Sequence, residues 1–125
     1  MWPYLCIEGV LLLKKTYRLR KNKDFKRVYE GKFSIPSGTM VLYVLKTDRA
    51  GAPRIGISVS KRVGNSVLRN RVRRRLREAV RPYIGTLPEG TDFVIVGRSR
   101  IAAASFSQIQ KDLSRVLHRS GILGK

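Results

Sequence analysis

Acidic side chains are scarce in this 125-residue chain, with eight Asp and Glu set against 27 Lys and Arg. The eight (Glu8, Asp24, Glu30, Asp48, Glu78, Glu89, Asp92 and Asp112) are scattered, and no two stand at metal-ligand spacing. That argues against a carboxylate-held metal centre or a paired-carboxylate acid and base. The one histidine, His118, falls near the end of the last predicted helix, where it suits the helix dipole better than catalysis. A lone cysteine, Cys6, cannot form an internal disulfide, so nothing points to an oxidising compartment and a cytoplasmic location is expected. Ser58, Ser60 and Cys6 lack a base partner, and there is no phosphate loop of the G-x-x-x-x-G-K-[ST] form. Long apolar runs are missing too. The opening MWPYLCIEGVLLLKK is broken by Pro3 and Glu8 and lacks a positive leading region, which fits neither a signal peptide nor a spanning helix. Residues 1–14 read as an extension, either ordered by packing of Trp2 or Tyr4 or the product of an upstream start codon.

What is present is a foldable chain with an extreme charge. Hydrophobic residues make up 42% of it, enough for one modest core in a single domain over 15–125. A formal charge of +19 concentrates mutual repulsion on folding, a cost best tolerated when the working partner is a polyanion. No long amphipathic helix of the interfacial type accompanies it, so nucleic acid is favoured over membrane.

Periodicity divides the chain without repeats or low-complexity tracts. NKDFKRVYEG offers Asn22 as N-cap, Phe25, Val28 and Tyr29 at helical spacing, and Gly31 as a stop. TMVLYVLK reads as a strand, and TDRAGAP as the turn after it. In RIGISVSK, Ile55, Ile57 and Val59 point one way and Gly56, Ser58 and Ser60 the other, leaving a low polar face that suits either a bulky ligand or an overlying helix. The apolar run Phe93 to Val96 suits a strand buried on both faces. SFSQIQKDLSRVLHRSG opens on a Ser105-x-x-Gln108 capping box, carries Phe106, Ile109, Leu113, Val116 and Leu117 on one stripe, and stops at Gly121. The order αββαβα predicts an α+β fold, an α/β sandwich around a mixed or mostly antiparallel sheet.

The segment KRVGNSVLRNRVRRRLREAVR carries nine basic residues and one acid. Asn65 or Ser66 is placed to cap a helix and Pro82 to end it. At about 100° per residue, Leu68, Val72, Leu76, Ala79 and Tyr83 form one core stripe. Arg69, Asn70, Arg73, Arg74, Arg77 and Arg81 fan beside and opposite it, with Arg71 and Arg75 on the other flank. Glu78 is placed to relieve only Arg74 or Arg75. A solvated charged face normally mixes both signs. This one does not, and arginine's planar fork engages phosphate oxygens in pairs and stacks on bases.

The run Lys61, Gly64-Asn65, Val67, Arg69-Asn70-Arg71, Arg73-Arg74, Arg77-Glu78 resembles the signature of the bacterial ribonuclease P protein subunit, whose hallmark is Arg-Asn-Arg on a basic helix. Upstream, RLRKNKDFKRVYEGK resembles that family's first helix, and MVLYVLK with RIGISVSK its first two strands. The likeness spans about Tyr17 to Ser120; Ser66 stands where the family often has alanine, and the first dozen residues match nothing in it.

This resemblance implies a central mixed sheet with a left-handed β-α-β crossover through the basic helix, against the usual right-handed default. It implies a subunit of an endoribonuclease holoenzyme, whose catalytic RNA removes the 5′ leader of precursor tRNA. Magnesium would be held by that RNA; the protein would bind no cofactor or small-molecule substrate and would not be catalytic alone. Leader contacts would fall to Phe25, Tyr29, Tyr43, Ser58, Arg69, Asn70, Arg73 and Arg77, in a cleft floored by the sheet and walled by the first helix and the basic helix. Lys61, Arg62, Gly64, Asn65, Arg71 and Arg74 would mainly address the catalytic RNA. Phe25 and Tyr29, at i and i+4, suit either a core or a base-stacking platform. A structural RNA binder of ribosomal type has the same composition and is separated only by the motif series; a DNA-binding protein is disfavoured because no helix-turn-helix is evident.

Overall fold

Strand and helix periods separate cleanly in the computed structural model, which describes residues 4–7, 10–13, 22–31, 33–47 and 53–121. Helix α1 spans Asn22–Glu30, strands β3, β4 and β5 span Ser34–Pro36, Met40–Lys46 and Arg54–Val59, helix α2 spans Ser66–Val80, β6 spans Thr91–Gly97 and α3 spans Phe106–Arg119. Before them, β1 (Tyr4–Ile7) and β2 (Val10–Leu13) pair as a separate antiparallel hairpin within the 1–14 extension. Trp2 and the turn over 48–52 lie outside the described residues, and so do the side chains of Tyr4 and Asn22 on which the expected packing and cap depend.

The four-stranded sheet runs in the order β3-β4-β6-β5. Its β3/β4 and β4/β6 pairs are antiparallel and its β5/β6 pair parallel. The sheet is therefore mixed, and α2 is the crossover that joins its two parallel strands. Strand β3 corrects the predicted order, which omitted it. Three residues ending in proline give no legible alternation, and an edge strand is where proline is tolerated.

Alternation then assigns the faces. Leu42, Val44, Ile55, Phe93 and Ile95 point to the main core and meet Val72, Leu76, Ala79 and Val80 of α2 and Ile109, Leu113, Val116 and Leu117 of α3. On the reverse face Val94 pairs with Val28 of α1, with Phe25, Tyr43, Leu45 and Val96 around them. The result is a three-layer sandwich with β6 buried on both sides, as its apolar run predicts.

Helix ends follow local chemistry. Asn65 Oδ1 accepts the Leu68 N–H at 2.9 Å to start α2, and Pro82 opens the 3₁₀ segment Arg81–Thr86 that follows it. Ser105 Oγ accepts the Gln108 N–H at 3.1 Å, but the Gln108 amide turns to Asp112 Oδ1 at 3.0 Å, so only half of the expected capping box forms. Gly121, at φ +77°, closes α3.

Candidate nucleic-acid interface

Sheet, α1 and α2 meet around an open groove of about 440 Å³ lined by Phe25, Lys26, Tyr29, Ile57, Ser58, Val59 and Arg73. Phe25 and Tyr29 stand one turn apart on α1 by their i,i+4 spacing, and Val28 between them is fully buried. Their ring centroids are 6.5 Å apart. Tyr29 then meets Tyr43 of β4 edge to face, 4.9 Å between centroids and 83° between planes. Phe25 and Tyr43 are half-buried and Tyr29 is 37% exposed. One side of the cluster packs on the minor core, while Tyr29 and Phe25 border the groove. Ser58 belongs to the low polar face of β5.

Across the groove, Arg73 Nη1 donates to Asn70 Oδ1 at 2.7 Å, an i,i+3 bond that steadies the guanidinium at the rim. Arg69 and Arg77 lie one turn to either side of Arg73 and are half-buried. Arg69 Nε is the one buried side-chain polar atom without a hydrogen-bond partner among the described residues. Such a donor costs about 1–3 kcal/mol to leave unmade. Thus Phe25, Tyr29, Ser58 and Arg73 line one groove, Tyr43 buttresses it, and Arg69, Asn70 and Arg77 continue its α2 wall. Lys26 was missed; its charge next to Phe25 was the available signal.

The four like-charged i,i+4 pairs Arg69/Arg73, Arg73/Arg77, Arg77/Arg81 and Arg71/Arg75 cost about 1–2 kcal/mol together in a free helix. Burial of Val72 and Leu76 alone, at ~1.5–3 kcal/mol each, outweighs that. Packing holds the helix. Glu78 relieves Arg81, at 3.5 Å, rather than Arg74 or Arg75. Arg75 instead donates to the Ala104 carbonyl at 3.3 Å.

Ahead of α2, a 3₁₀ turn carries Lys61 and Arg62 exposed to solvent, with Ser60 Oγ accepting the Arg62 N–H at 3.3 Å. Gly64 follows at φ +155°, where a Cβ would stand 2.5 Å from Leu68 Cδ2. Glycine is required there for the chain to turn into the Asn65 cap.

Three acids are spent inside. Asp92 and Asp24 both meet Arg54, and Asp112 accepts Thr39 N–H at 3.1 Å and Thr39 Oγ1 at 2.6 Å. The Asp92 hydrogen bond, foremost among the causes, holds the Arg54 guanidinium above arginine's ordinary range. Among the described residues no three His, Cys, Asp or Glu side chains gather as a metal site, and no helix is long and apolar enough to cross a membrane. His118 Nδ1 lies 2.7 Å from the Ser114 carbonyl of its own helix.

Residues 13–121 match the family model of ribonuclease P. The chain belongs to the ribonuclease P protein family. The ribonuclease P protein component of Lactococcus lactis subsp. lactis (strain IL1403) is 40% identical over 112 residues, covering 90% of this chain and 94% of the relative. The RNase P protein of Staphylococcus aureus superposes with a TM-score of 0.80 at 33% identity, covering 87% of this chain and 99% of that one. That of Thermotoga maritima superposes with a TM-score of 0.71 at 27% identity, covering 82% and 96%. The ribonuclease P family therefore accounts for both the motif series on α2 and the mixed-sheet sandwich that carries it.

Proposed function

We propose that this chain binds the catalytic RNA of ribonuclease P and the 5′ leader of precursor tRNA, and so assists endonucleolytic removal of that leader. The groove between α1 and α2 supports this best, because it offers rings at one wall and guanidinium groups at the other, the two features that single-stranded RNA engages. Leader bases lie against Phe25 and Tyr29, with Tyr43 behind them, and Ser58 on the floor is small enough to admit them. Arg69, Asn70, Arg73 and Arg77 take the leader backbone. Lys61, Arg62, Gly64, Asn65, Arg71 and Arg74 face the catalytic RNA.

The chain's part in this proposal is binding, orientation and charge screening. Magnesium, in this reading, belongs to the RNA. A structural RNA binder would have the same charge but no reason for family membership. The test is reconstitution: mixed with a bacterial ribonuclease P RNA at low magnesium, the protein restores cleavage of precursor tRNA. Binding without rescue would return the chain to the structural alternative.

A further inference from the structure

Phe106 belongs by its spacing to the core stripe of α3, yet it is 36% exposed while Ile109, Leu113, Val116 and Leu117 are buried. It sits in the first turn of α3, beyond the edge of the core, and lines an open groove of about 390 Å³ with Arg71, Arg74, Arg75 and Glu78 of α2. Three guanidinium groups and one exposed ring therefore share a surface whose only acid is already paired with Arg81. The Arg75 bond to the Ala104 carbonyl ties α2 to the segment entering α3 and fixes the groove's shape. Arg71 and Arg74 have no ion-pair partner among the described residues, and both are exposed.

We propose that this groove is a second RNA site, in which an unpaired base stacks on Phe106 while Arg71 and Arg74 hold the adjoining phosphates. Charge complementarity selects a polyanion, and the ring beside the guanidinium groups selects one with exposed bases. Helical geometry separates this site from the cleft. Arg71, Arg75 and Glu78 lie about 140–200° around α2 from Arg73. A helix ~10–12 Å across stands between the two surfaces, so the strand lying in the cleft does not reach Phe106. The occupant is a segment of the other RNA, the ribonuclease P RNA itself, an assignment that rests on the function proposed above.

The test titrates the full-length protein into a bacterial ribonuclease P RNA. Phe106→Ala and Phe106→Leu weaken assembly about 5- to 150-fold, the span of stacking one base, and Phe106→Trp stays within about threefold of the unmodified protein. Leucine keeps an apolar contact at this helix start, so a loss shared by alanine and leucine assigns the effect to the ring. The salt dependence of assembly is unchanged in both, whereas Arg74→Ala flattens the log–log slope by ~0.7–0.9, one phosphate contact. At saturating protein, preference for leader-bearing substrate is retained. Unaltered RNA affinity in the alanine and leucine variants overturns the inference, as does a loss of leader preference with assembly intact. If the unmodified chain binds the RNA in a Phe106-dependent way but restores no cleavage, the site stands and the functional reading falls. If cleavage is restored and Phe106→Ala assembles normally, the site alone falls.

Discussion

Arg54 grips Asp92 through two parallel hydrogen bonds, Nε to Oδ1 at 3.0 Å and Nη2 to Oδ2 at 2.8 Å. The same guanidinium approaches Asp24 of α1 at 3.6 Å. One side chain on β5 thereby links the parallel partner strand to the helix that walls the cleft. Both carboxylates are buried, and Asp24 also has Arg27 at 3.8 Å, so removing the Arg54 cation takes the two-bond partner from Asp92 while Asp24 keeps a second cation.

Arg54→Ala is expected to destabilise the fold by about 3–5 kcal/mol, as loss of one partner from a buried pair does, measured by urea unfolding. Asp24→Asn, which leaves the Arg54–Asp92 bonds intact, costs less. Because the folded arginine titrates above its ordinary range, its contribution is full below that range and is lost only as pH rises beyond it. Stability between pH 8 and about 10 is therefore expected to show no step owed to Arg54. A variant as stable as the parent would remove this pair from the account of how α1 is placed.

The α2 wall is tested by Arg69→Ala combined with Arg73→Ala. Affinity of the assembled holoenzyme for leader-bearing precursor falls more than affinity for mature tRNA. The salt slope for the precursor flattens by roughly 1–2, since each single-strand phosphate contact contributes ~0.7. Equal losses on both substrates would move these arginines out of the leader site.

Much of this was legible in the chain, and what was not has identifiable causes. The arc of Arg69, Arg73 and Arg77 followed from a period of 3.6 residues, because Leu68, Val72 and Leu76 fixed which side was inward. Strands β4 and β6 were legible because alternation and a continuous apolar run each have one geometric solution. Strand β3 was not, since Ser34–Pro36 is held by pairing with Val41, Leu42 and Tyr43 and not by its own pattern. Arg54 and Asp92 are 38 residues apart, and only the parallel register brings them side by side. Phe106 misled because periodicity describes a helix's direction and not where the core beneath it ends.

Tyr29 separates packing from binding at the opposite wall. Tyr29→Ala removes the edge-to-face contact with Tyr43, worth about 0.5–1.5 kcal/mol of stability. Leader affinity falls by ~1–3 kcal/mol if a base stacks there. Tyr29→Phe keeps both ring functions, so its leader affinity matches the parent. A phenylalanine variant as weak as alanine would assign the effect to the hydroxyl and sink the stacking model.

Gly64 offers the sharpest distinction between a residue that touches RNA and one that shapes the surface touching it. At φ +155° an alanine is strained by about 1–3 kcal/mol, and its Cβ also meets Leu68. The chain can relieve both only by turning away from the geometry that lets Asn65 cap α2. Gly64→Ala should therefore lower stability in urea and weaken RNA binding together. Asn65→Ala should lose about 1 kcal/mol of stability through the cap, and any larger effect on RNA affinity would belong to the exposed amide itself. Since the glycine has no side chain to offer a ligand, an alanine variant that keeps full stability yet loses RNA affinity would mean that the RNA backbone packs directly against Gly64. The conformational account of this turn would then give way to a contact.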